Sequence, residues 1–424
     1  MKLNLSRHIS EKQKYSCICC GRGCRAFLVP VGKGEREAIE NLAYWPEELG
    51  TKDIFGKSSL FGKNIDVLSK RANTDCVFLD RQDQLCIIHK RFGFEAKPLA
   101  CQLFPVLLTP FAGELRVGLR FDCPGVCNSD GESIQSLLKD ARRLATKLIP
   151  AGALKNEPPE IWPGVKVLAS RFDLLNETML GVLRRDDIDL IVKLHWLRRF
   201  ADNLTVVRWD ILDEEEACKV TASFSEEILT EECEAGHSYQ NLDGRVRKML
   251  GQIFFFLSYP SDVMAPSRTI FQNLINQIKT SIKAHKLNRP KGKLYPIQKD
   301  WPNCDKAILE YSFGSWPEDV KMFIVRYLTC RISGLNYCGQ GCYGYSMAEG
   351  INQLLLAIGT TGWLMRIHAV KAGRNEIVLA DAHAAIITID GNLGYAKPLG
   401  MGPAKLRLNY LSGYLEEIIN CYCL

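Results

Sequence analysis

The sequence predicts an α+β protein that is mainly α, with a small loop-rich cysteine domain followed by helical domains. Three observations support this fold class. Nine of the 17 cysteines lie before residue 128. In the same segment, short apolar runs are broken by Gly and Pro, which is typical of loops. Beyond residue 130, apolar residues recur at helical spacing with charged residues between them.

Composition and charge limit the classes of protein and partner. The chain has 424 residues, 46% of them hydrophobic, which is enough for two or three domains with real cores. Its net charge of +6 is spread along the whole length, so no nucleic-acid partner is expected. The longest apolar stretches are shorter than the ~20 residues of a membrane helix, so no membrane partner is expected. The N-terminus lacks an apolar signal segment, which predicts a cytoplasmic location.

The predicted elements divide the chain into four parts. A hairpin is expected around Thr109–Gly113, and amphipathic helices are expected over 132–148, 186–204, 242–257 and 267–285. A stretch rich in Pro, Gly and Lys then lacks any periodicity. The predicted division is a cysteine-rich metal domain (1–130), a helical domain (131–285), a linker (286–302) and a C-terminal helical domain (303–424).

The cysteines predict a metal site. The cytosol keeps thiols reduced, so structural disulfides do not explain so many cysteines in a chain without an export signal. Loops that bury little apolar surface also need another source of stability, which metal bonds supply. Eight candidate ligands exceed one tetrahedral site and suggest two centres, or one centre with spare thiols. These candidates are Cys17, Cys20, Cys24, Cys76, Cys86, Cys101, Cys123 and Cys127.

The order of these cysteines and their neighbours also carries a resemblance. The motifs are Cys17-x-x-Cys20-Gly, Cys24-Arg, Cys76-x-Phe-Leu-Asp, Cys86-x-Ile-His, Lys97-Pro-x-x-Cys101-x-x-Phe-Pro and Cys123-Pro-Gly. Over Tyr15–Cys127 the chain resembles the cysteine-cluster family of zinc- or iron-chelating proteins, which includes flagellin lysine-N-methylase. The resemblance implies a metal site and, more remotely, methylation of lysine on a protein substrate with S-adenosylmethionine as cofactor.

The sequence departs from this family at one loop. Family members commonly have two adjacent cysteines where this chain has Gly23-Cys24, and Cys19 is an extra thiol directly before Cys20. One ligand position is therefore expected to have moved.

Cysteine spacing favours an iron–sulfur cluster, with 4Fe–4S as the expected type and zinc as the alternative. A zinc ribbon has two Cys-x-x-Cys knuckles, whereas Cys17 and Cys20 form the only such pair in this region. The radical class of S-adenosylmethionine enzymes needs a Cys-x-x-x-Cys-x-x-Cys run. Here the two spacings occur in reverse order, which argues against that class.

Several weaker signals have two interpretations. His89 is either a ligand or, as we favour, a side chain packed beside the cluster. Arg25 and Lys97 either offset cluster charge or are surface residues, and Asp80 either caps a turn or takes part in the chemistry of the site.

The run from Gly339 to Gly344 fits the GxGxxG pattern of dinucleotide-binding folds, but no strand precedes it. It therefore predicts a helix–loop–helix turn, with Cys338 and Cys342 as minor candidates for the site.

Two functions of different classes follow. The first is a cluster-binding enzyme that modifies a protein substrate. This function requires a pocket for S-adenosylmethionine. The sequence identifies no catalytic or cofactor-binding residue. The second is a non-catalytic metal-binding or electron-transfer module that docks a partner protein. An open pocket between the cysteine and helical regions would favour the enzyme, and a closed, fully ligated centre would favour the module.

Overall fold

The computed structural model describes residues 13–43, 45, 49, 51, 53–60, 63–71, 74–149, 157–226, 242–259, 270–287, 292–298, 301–310 and 313–423. These residues form a mainly helical α+β structure whose sheets are three separate two-stranded antiparallel pairs. The predicted fold class is confirmed. Most of the predicted linker lies within the description, but residues 288–291 and 299–300 of it do not.

The N-terminal part alternates short helices with strands. Its elements in chain order are β1 (Lys14–Tyr15), α1 (Arg22–Ala26), α2 (Lys33–Glu40), β2 (Phe55–Leu60), β3 (Lys63–Leu68), α3 (Ile87–Phe92), α4 (Leu99–Leu103), β4 (Val106–Phe111), β5 (Glu114–Leu119), α5 (Pro124–Asn128) and β6 (Glu132–Ser133).

Longer helices make up the remainder. They are α6 (Ile134–Leu148), α7 (Ala169–Leu183), α8 (Leu190–Val206), α9 (Glu214–Glu226), α10 (Gly244–Ser258), α11 (Ile270–Leu287), α12 (Glu318–Ser333), α13 (Met347–Lys371), α14 (Leu379–Asp390), α15 (Gly402–Ser412) and α16 (Leu415–Tyr422). Four of them, α6, α8, α10 and α11, lie within a few residues of the helices predicted from periodicity.

Two hairpins shape the cysteine-rich part. In the predicted hairpin, β4 pairs with β5 as far as Phe111 and Glu114, so the turn is only Ala112 and Gly113. Both turn residues have positive φ, 46° and 87°, as a two-residue turn that matches strand twist requires. The hairpin of β2 and β3 was not predicted, because its polar residues gave no clear apolar alternation.

The central helix of the structure is α13. Ser346 and Glu349 form a reciprocal capping box at its start. Nearly all of its side chains are buried, and it packs against α8, α14 and α16. The GxGxxG run precedes it as a turn after α12, as predicted. None of the helices in the described ranges is long and apolar enough to cross a membrane.

The buried apolar residues form two cores of unequal size. The small core contains 11 fully buried residues between Val29 and Ile88. The large core begins at Val106 and continues through the helices to Cys423. Hairpin β4–β5 and helices α5 and α6 therefore share their core with the helical part of the chain. Leu294 and Trp301, in the predicted linker, are also buried in it. The predicted domain boundaries stay a prediction.

A buried carboxylate ties the cysteine-rich part to the helices. Asp390, at the end of α14, is 2% exposed, and its Oδ2 accepts hydrogen bonds from the backbone N–H groups of Phe121 (2.6 Å) and Asp122 (3.1 Å). Its Oδ1 lies 3.3 Å from Nη1 of Arg331, on α12, as an ion pair without hydrogen-bond alignment. Burial raises the pKa of Asp390, while Arg331 opposes that effect. The loop that leads to Cys123 is thereby fixed to α12 and α14.

The importance of this carboxylate is testable by substitution. We expect Asp390→Ala to lower the free energy of unfolding by about 3–5 kcal/mol, because it leaves the Arg331 charge buried and unpaired. Urea denaturation measures this change. Asp202→Ala is the control, since Asp202 is 53% exposed and pairs with Arg198 on the surface of α8. The control should lose no more than about 1 kcal/mol. Equal losses in the two variants would contradict the assigned role.

Candidate metal centre

Four cysteines from four different elements meet beside the small core. We call Cys24, Cys76, Cys86 and Cys101 the buried thiol set, after Cys76, which is buried; the other three are half-buried. Cys24 lies on α1 and Cys101 on α4, while Cys86 directly precedes α3. Cys76 begins a turn between two isolated β-bridges, and its N–H donates to the Cys24 carbonyl at 2.9 Å. All four pack in or against the small core.

The four thiols are mutual electrostatic neighbours. Burial, followed by the Cys86 thiol, raises the pKa of Cys24, and the Cys17 thiol adds to the shift. Burial, then Cys24, raises the pKa of Cys76 to about 12, and Cys86 adds to the shift. Burial raises the pKa of Cys101 well above its ordinary value, and the other three thiols add to it. All six thiol pairs of the set therefore interact. Without a metal, Cys24, Cys76 and Cys101 are protonated at neutral pH.

Two lysines face this set. Lys70 donates from Nζ to the carbonyl oxygens of Cys24 (2.6 Å) and Arg25 (3.3 Å). It interacts with the thiols of Cys76, Cys24 and Cys101, although burial still lowers its pKa overall. Lys97 acts on Cys24 and Cys101. Lys97 was a candidate from sequence. Lys70 was missed, because no motif links it to Cys76, which faces it across a β-bridge.

A second group of cysteines combines three from the loop before α1 with one that directly precedes α5. We call Cys17, Cys19, Cys20 and Cys123 the outer thiol set. The Cys19 thiol donates to the Cys17 carbonyl oxygen at 3.8 Å and interacts electrostatically with the thiols of Cys17 and Cys20. Cys123 interacts with Cys20. Cys17 and Cys19 are exposed, Cys20 is half-buried and Cys123 is buried.

Tyr15 joins the two chain segments that carry this set. Burial raises the pKa of Tyr15, and the thiols of Cys123 and Cys17 add to the effect, so the side chain lies beside both. The segments are also held together by β1–β6 pairing and by close contact at Gly125, where a Cβ would lie 2.7 Å from the Ser16 carbonyl oxygen. Gly125 is thus required for the approach. Sequence reasoning missed Tyr15, whose only signal was its position two residues before Cys17.

Backbone N–H groups point at sulfur in both sets. The N–H of Phe78 lowers the pKa of Cys76, opposing burial, and the N–H groups of Val126 and Gly125 do the same for Cys123. Hydrogen bonds of this kind stabilise metal-bound thiolates. Both sets therefore have chemistry that suits a thiolate-ligated metal.

Cys127 differs from the other predicted ligands. Its thiol is 1% exposed in the large core and donates to the Phe121 carbonyl at 3.0 Å. Burial raises the pKa of Cys127 well above its ordinary value, and Asp390 and Arg326 of the helical part also act on it, as does Cys123. Its assignment as a ligand stays a prediction, and this hydrogen bond would have to break for it to bind metal.

The weaker candidates have ordinary contacts. The His89 ring meets the Phe94 ring edge-on at 5.9 Å, consistent with the packing interpretation. Arg25 binds Asp75 (3.2 Å) and the Cys20 carbonyl (2.8 Å). Asp80 accepts from the N–H of Gln82 and pairs with a lysine, so it caps a turn.

Cys338 and Cys342, the minor candidates from the GxGxxG turn, lie 1% exposed in the large core. A groove of about 610 Å³ lies elsewhere, around the start of α7 and the loop after α8. Its lining includes Leu168, Arg171 and Trp209, and none of the cysteines discussed above.

Both thiol sets have the chemical composition of a metal site, but their side chains do not surround an ion. In the described ranges, no group of three or more Cys, His, Asp or Glu side chains is arranged to hold one metal ion as it stands. The thiols, the N–H groups directed at sulfur and the two lysines are nevertheless what a thiolate centre requires.

A comparison with known protein families also identifies the cysteine-rich segment. Residues 16–127 match the family model described as "Putative zinc- or iron-chelating domain". The resemblance drawn from the cysteine order is therefore confirmed for this segment. No match to the chain was found among curated proteins or among solved structures.

The pKa of Cys76 gives a pH prediction for the metal-free protein. Its pKa rises from an ordinary 9.0 to about 12 on folding. Between these values the unfolded thiol has lost its proton while the folded one keeps it, so rising pH favours unfolding. We expect the free energy of unfolding, measured with urea after anaerobic chelation, to fall above about pH 9. Cys76→Ala should make the decline shallower by up to about 1.4 kcal/mol per pH unit.

A matched control is Cys218→Ala, because Cys218 is exposed on α9. It should leave the slope of the free energy against pH unchanged. Identical slopes for the native chain and Cys76→Ala would contradict the neutral, buried state of this thiol.

Proposed function

We propose that the chain is an iron–sulfur protein whose buried thiol set holds a 4Fe–4S cluster, because residues 16–127 match a family model of zinc- or iron-chelating domains. The observation that carries this proposal is that Cys24, Cys76, Cys86 and Cys101 all pack in or against the small core, where each acts electrostatically on the others. Four thiolates are the number that completes one cubane cluster. Zinc is the alternative metal.

The distribution of ligands favours iron–sulfur over zinc. Structural zinc sites usually take ligands in Cys-x-x-Cys knuckles. The single knuckle of this region, Cys17 and Cys20, belongs to the outer thiol set, so the buried set contains none. Its ligands come one each from four elements, each of which can adjust its distance to a large cluster.

Charge at the buried set supports the same proposal. Thiolate-ligated clusters are anionic, and burying an anion is unfavourable without compensation. Lys70 and Lys97 supply positive charge beside the set, and the N–H of Phe78 donates to one sulfur. These groups would stabilise the bound cluster and tune its potential.

A cluster whose four ligand positions are all taken by cysteine thiolates favours the non-catalytic function. Once four thiolates are bound, the cluster has no position for substrate, and the groove beside Leu168 is lined by none of the ligands. We therefore favour a cluster that stabilises the small core or transfers electrons, with a partner protein docking on the chain. A cytosolic location is part of this proposal, since the thiols must stay reduced.

Metal analysis is the direct test of the cluster. Protein purified without oxygen should contain iron and acid-labile sulfide in equal amounts, and Cys101→Ser should lower both by at least about tenfold. Cys218→Ser, an exposed thiol outside both sets, should retain the native amounts. Stoichiometric zinc without sulfide would refute the iron–sulfur assignment and support the zinc alternative.

The cluster should also stabilise the small core. Eleven buried residues cannot offset ~1–2 kcal/mol of backbone ordering entropy per residue across this segment, so metal bonds must contribute. Cys101→Ser should therefore make the part before Val106 protease-sensitive. The large core has its own extensive apolar packing, and its fragments should survive. Limited proteolysis with mass spectrometry measures this, and an unchanged digestion pattern would contradict it.

Lysine N-methylation rests only on the resemblance and is a separate, weaker proposal. It requires S-adenosylmethionine to bind the cluster-loaded chain, which calorimetry measures directly. Binding in the micromolar range would support an enzyme acting on a protein substrate. Lack of binding to the cluster-loaded chain would leave the electron-transfer or structural function.

A further inference from the structure

We propose that the surface around α15 is a docking site for a partner protein that presents acidic side chains around an apolar centre. We call Lys397, Met401, Leu406, Arg407 and Tyr410 the α15 patch. The inference rests on the proposed function in that this function includes a docked partner, and it names the docking surface and the chemistry of the partner. Apolar exposure, unbalanced positive charge and a contact path to the small core support it.

The first observation is the exposure of large apolar side chains on a helix that is otherwise well packed. Leu406 is 72% exposed, Met401 is 58% exposed and Tyr410 is 36% exposed. On its opposite side, α15 packs against α10 and α13. Leu406 and Tyr410 are four residues apart on the helix, so they form one continuous surface. The helix therefore has two apolar faces, of which the described residues cover only one.

The second observation is the charge of the same surface. Between residues 391 and 415 the chain has three cationic residues and no Asp or Glu. One of the three, Lys405, lies 3.8 Å from the carboxylate of Glu349. The other two, Lys397 and Arg407, form no ion pair within the ranges that the structure describes. Positive charge on the α15 patch is therefore left for a partner to neutralise.

The third observation is a path of side-chain contacts from this surface to the small core. Tyr395 lies two residues before Lys397, and its ring centre is 4.7 Å from the Arg120 guanidinium. The same guanidinium lies 3.9 Å from the Phe27 ring and 5.8 Å from the Phe104 ring. Phe27 and Phe104 each follow a cysteine of the buried thiol set by three residues. Packed side chains thus link the α15 patch to the proposed cluster.

Charge also decides which occupant suits the patch. A second copy of the chain, paired about a two-fold axis, would place the same cations opposite one another, which is repulsive. An anionic membrane would be repelled at one end, where Asp243 and Glu417 interact with Tyr414. Insertion into lipid is also limited, because the other face of α15 is buried in the large core. An acidic protein surface with an apolar centre complements both features of the patch.

The test uses the full chain purified without oxygen and a synthetic helical peptide as the probe. The peptide has leucines along one face, flanked by glutamates, and carries a fluorescent label. Fluorescence anisotropy should show binding that weakens as salt is added. A second peptide, with Gln in place of each Glu, should bind at least about tenfold more weakly. Equal affinity for the two peptides would overturn the proposed charge complementarity.

Two substitutions with matched controls locate the binding surface. Leu406→Asp should weaken binding of the acidic peptide more than about tenfold, because it removes an apolar contact and adds a repelling carboxylate. Val206→Asp is its control, since Val206 is 75% exposed at the end of α8. Lys397→Glu should weaken binding at least about threefold, whereas Lys139→Glu, exposed on α6, should have no effect. Native affinity in both Leu406→Asp and Lys397→Glu would refute the site.

The other two occupants have their own measurements. Sedimentation of the native chain at rising concentration should show no dimer that Leu406→Asp removes. Such a dimer would replace the proposed partner with a second copy of the chain. Vesicles that contain phosphatidylserine should bind the native chain and Leu406→Asp equally weakly. Vesicle binding that depends on Leu406 would overturn the proposal in favour of a membrane.

A last comparison separates docking from the proposed cluster. Because α15 packs on the large core, Cys101→Ser should bind the acidic peptide with native affinity even though it loses iron and sulfide. Leu406→Asp should keep the native amounts of both. A native chain without sulfide would refute the cluster and leave the docking site supported by the peptide result. A chain with full iron and sulfide that does not bind the peptide would refute the docking site alone.

Discussion

The buried carboxylate of Asp390 is the contact on which the arrangement of the cysteine-rich part depends. It accepts two backbone N–H groups of the loop that leads to Cys123 and pairs with Arg331, so a charge pair is buried where the loop meets the helices. Burying such a pair is costly, and it persists only with good complementary contacts. Here those contacts fix one end of the outer thiol set to α12 and α14. The position of Cys123 is thereby set by the helical part and not by the cysteine segment alone.

The remaining contacts between the two parts reinforce this attachment. Arg326, on α12, donates to Gln13 Oε1 at 3.1 Å and to the Cys127 carbonyl. Arg22 donates to the Asp122 carbonyl at 3.0 Å and reaches the Ile387 carbonyl at 3.5 Å. These guanidinium groups satisfy carbonyl oxygens that the irregular loop would otherwise leave without partners. The outer thiol set is therefore built at the junction of the two parts, whereas the buried set belongs to the small core.

The two cores explain why the two sets differ in character. The small core is held by few apolar residues, so the four thiols beside it are well placed to contribute to its stability through a bound metal. The large core needs no such contribution, because α13 alone is buried along most of its length. The thiols beside the small core are buried or half-buried, whereas Cys17 and Cys19 of the outer set are exposed.

The sequence by itself determined the class of fold, the amphipathic helices, the β4–β5 hairpin and the identity of the metal-chelating segment. These features depend on local periodicity, turn residues and cysteine order, which are readable along the chain. Only the tertiary structure decided which thiols are neighbours. Cys24 and Cys20 are four residues apart yet belong to different sets, because α1 turns Cys24 toward the small core. Lys70, Tyr15 and Asp390 act through contacts across a β-bridge, a strand pair and a helix end, and contacts between distant segments leave no periodic or motif signal in a single sequence.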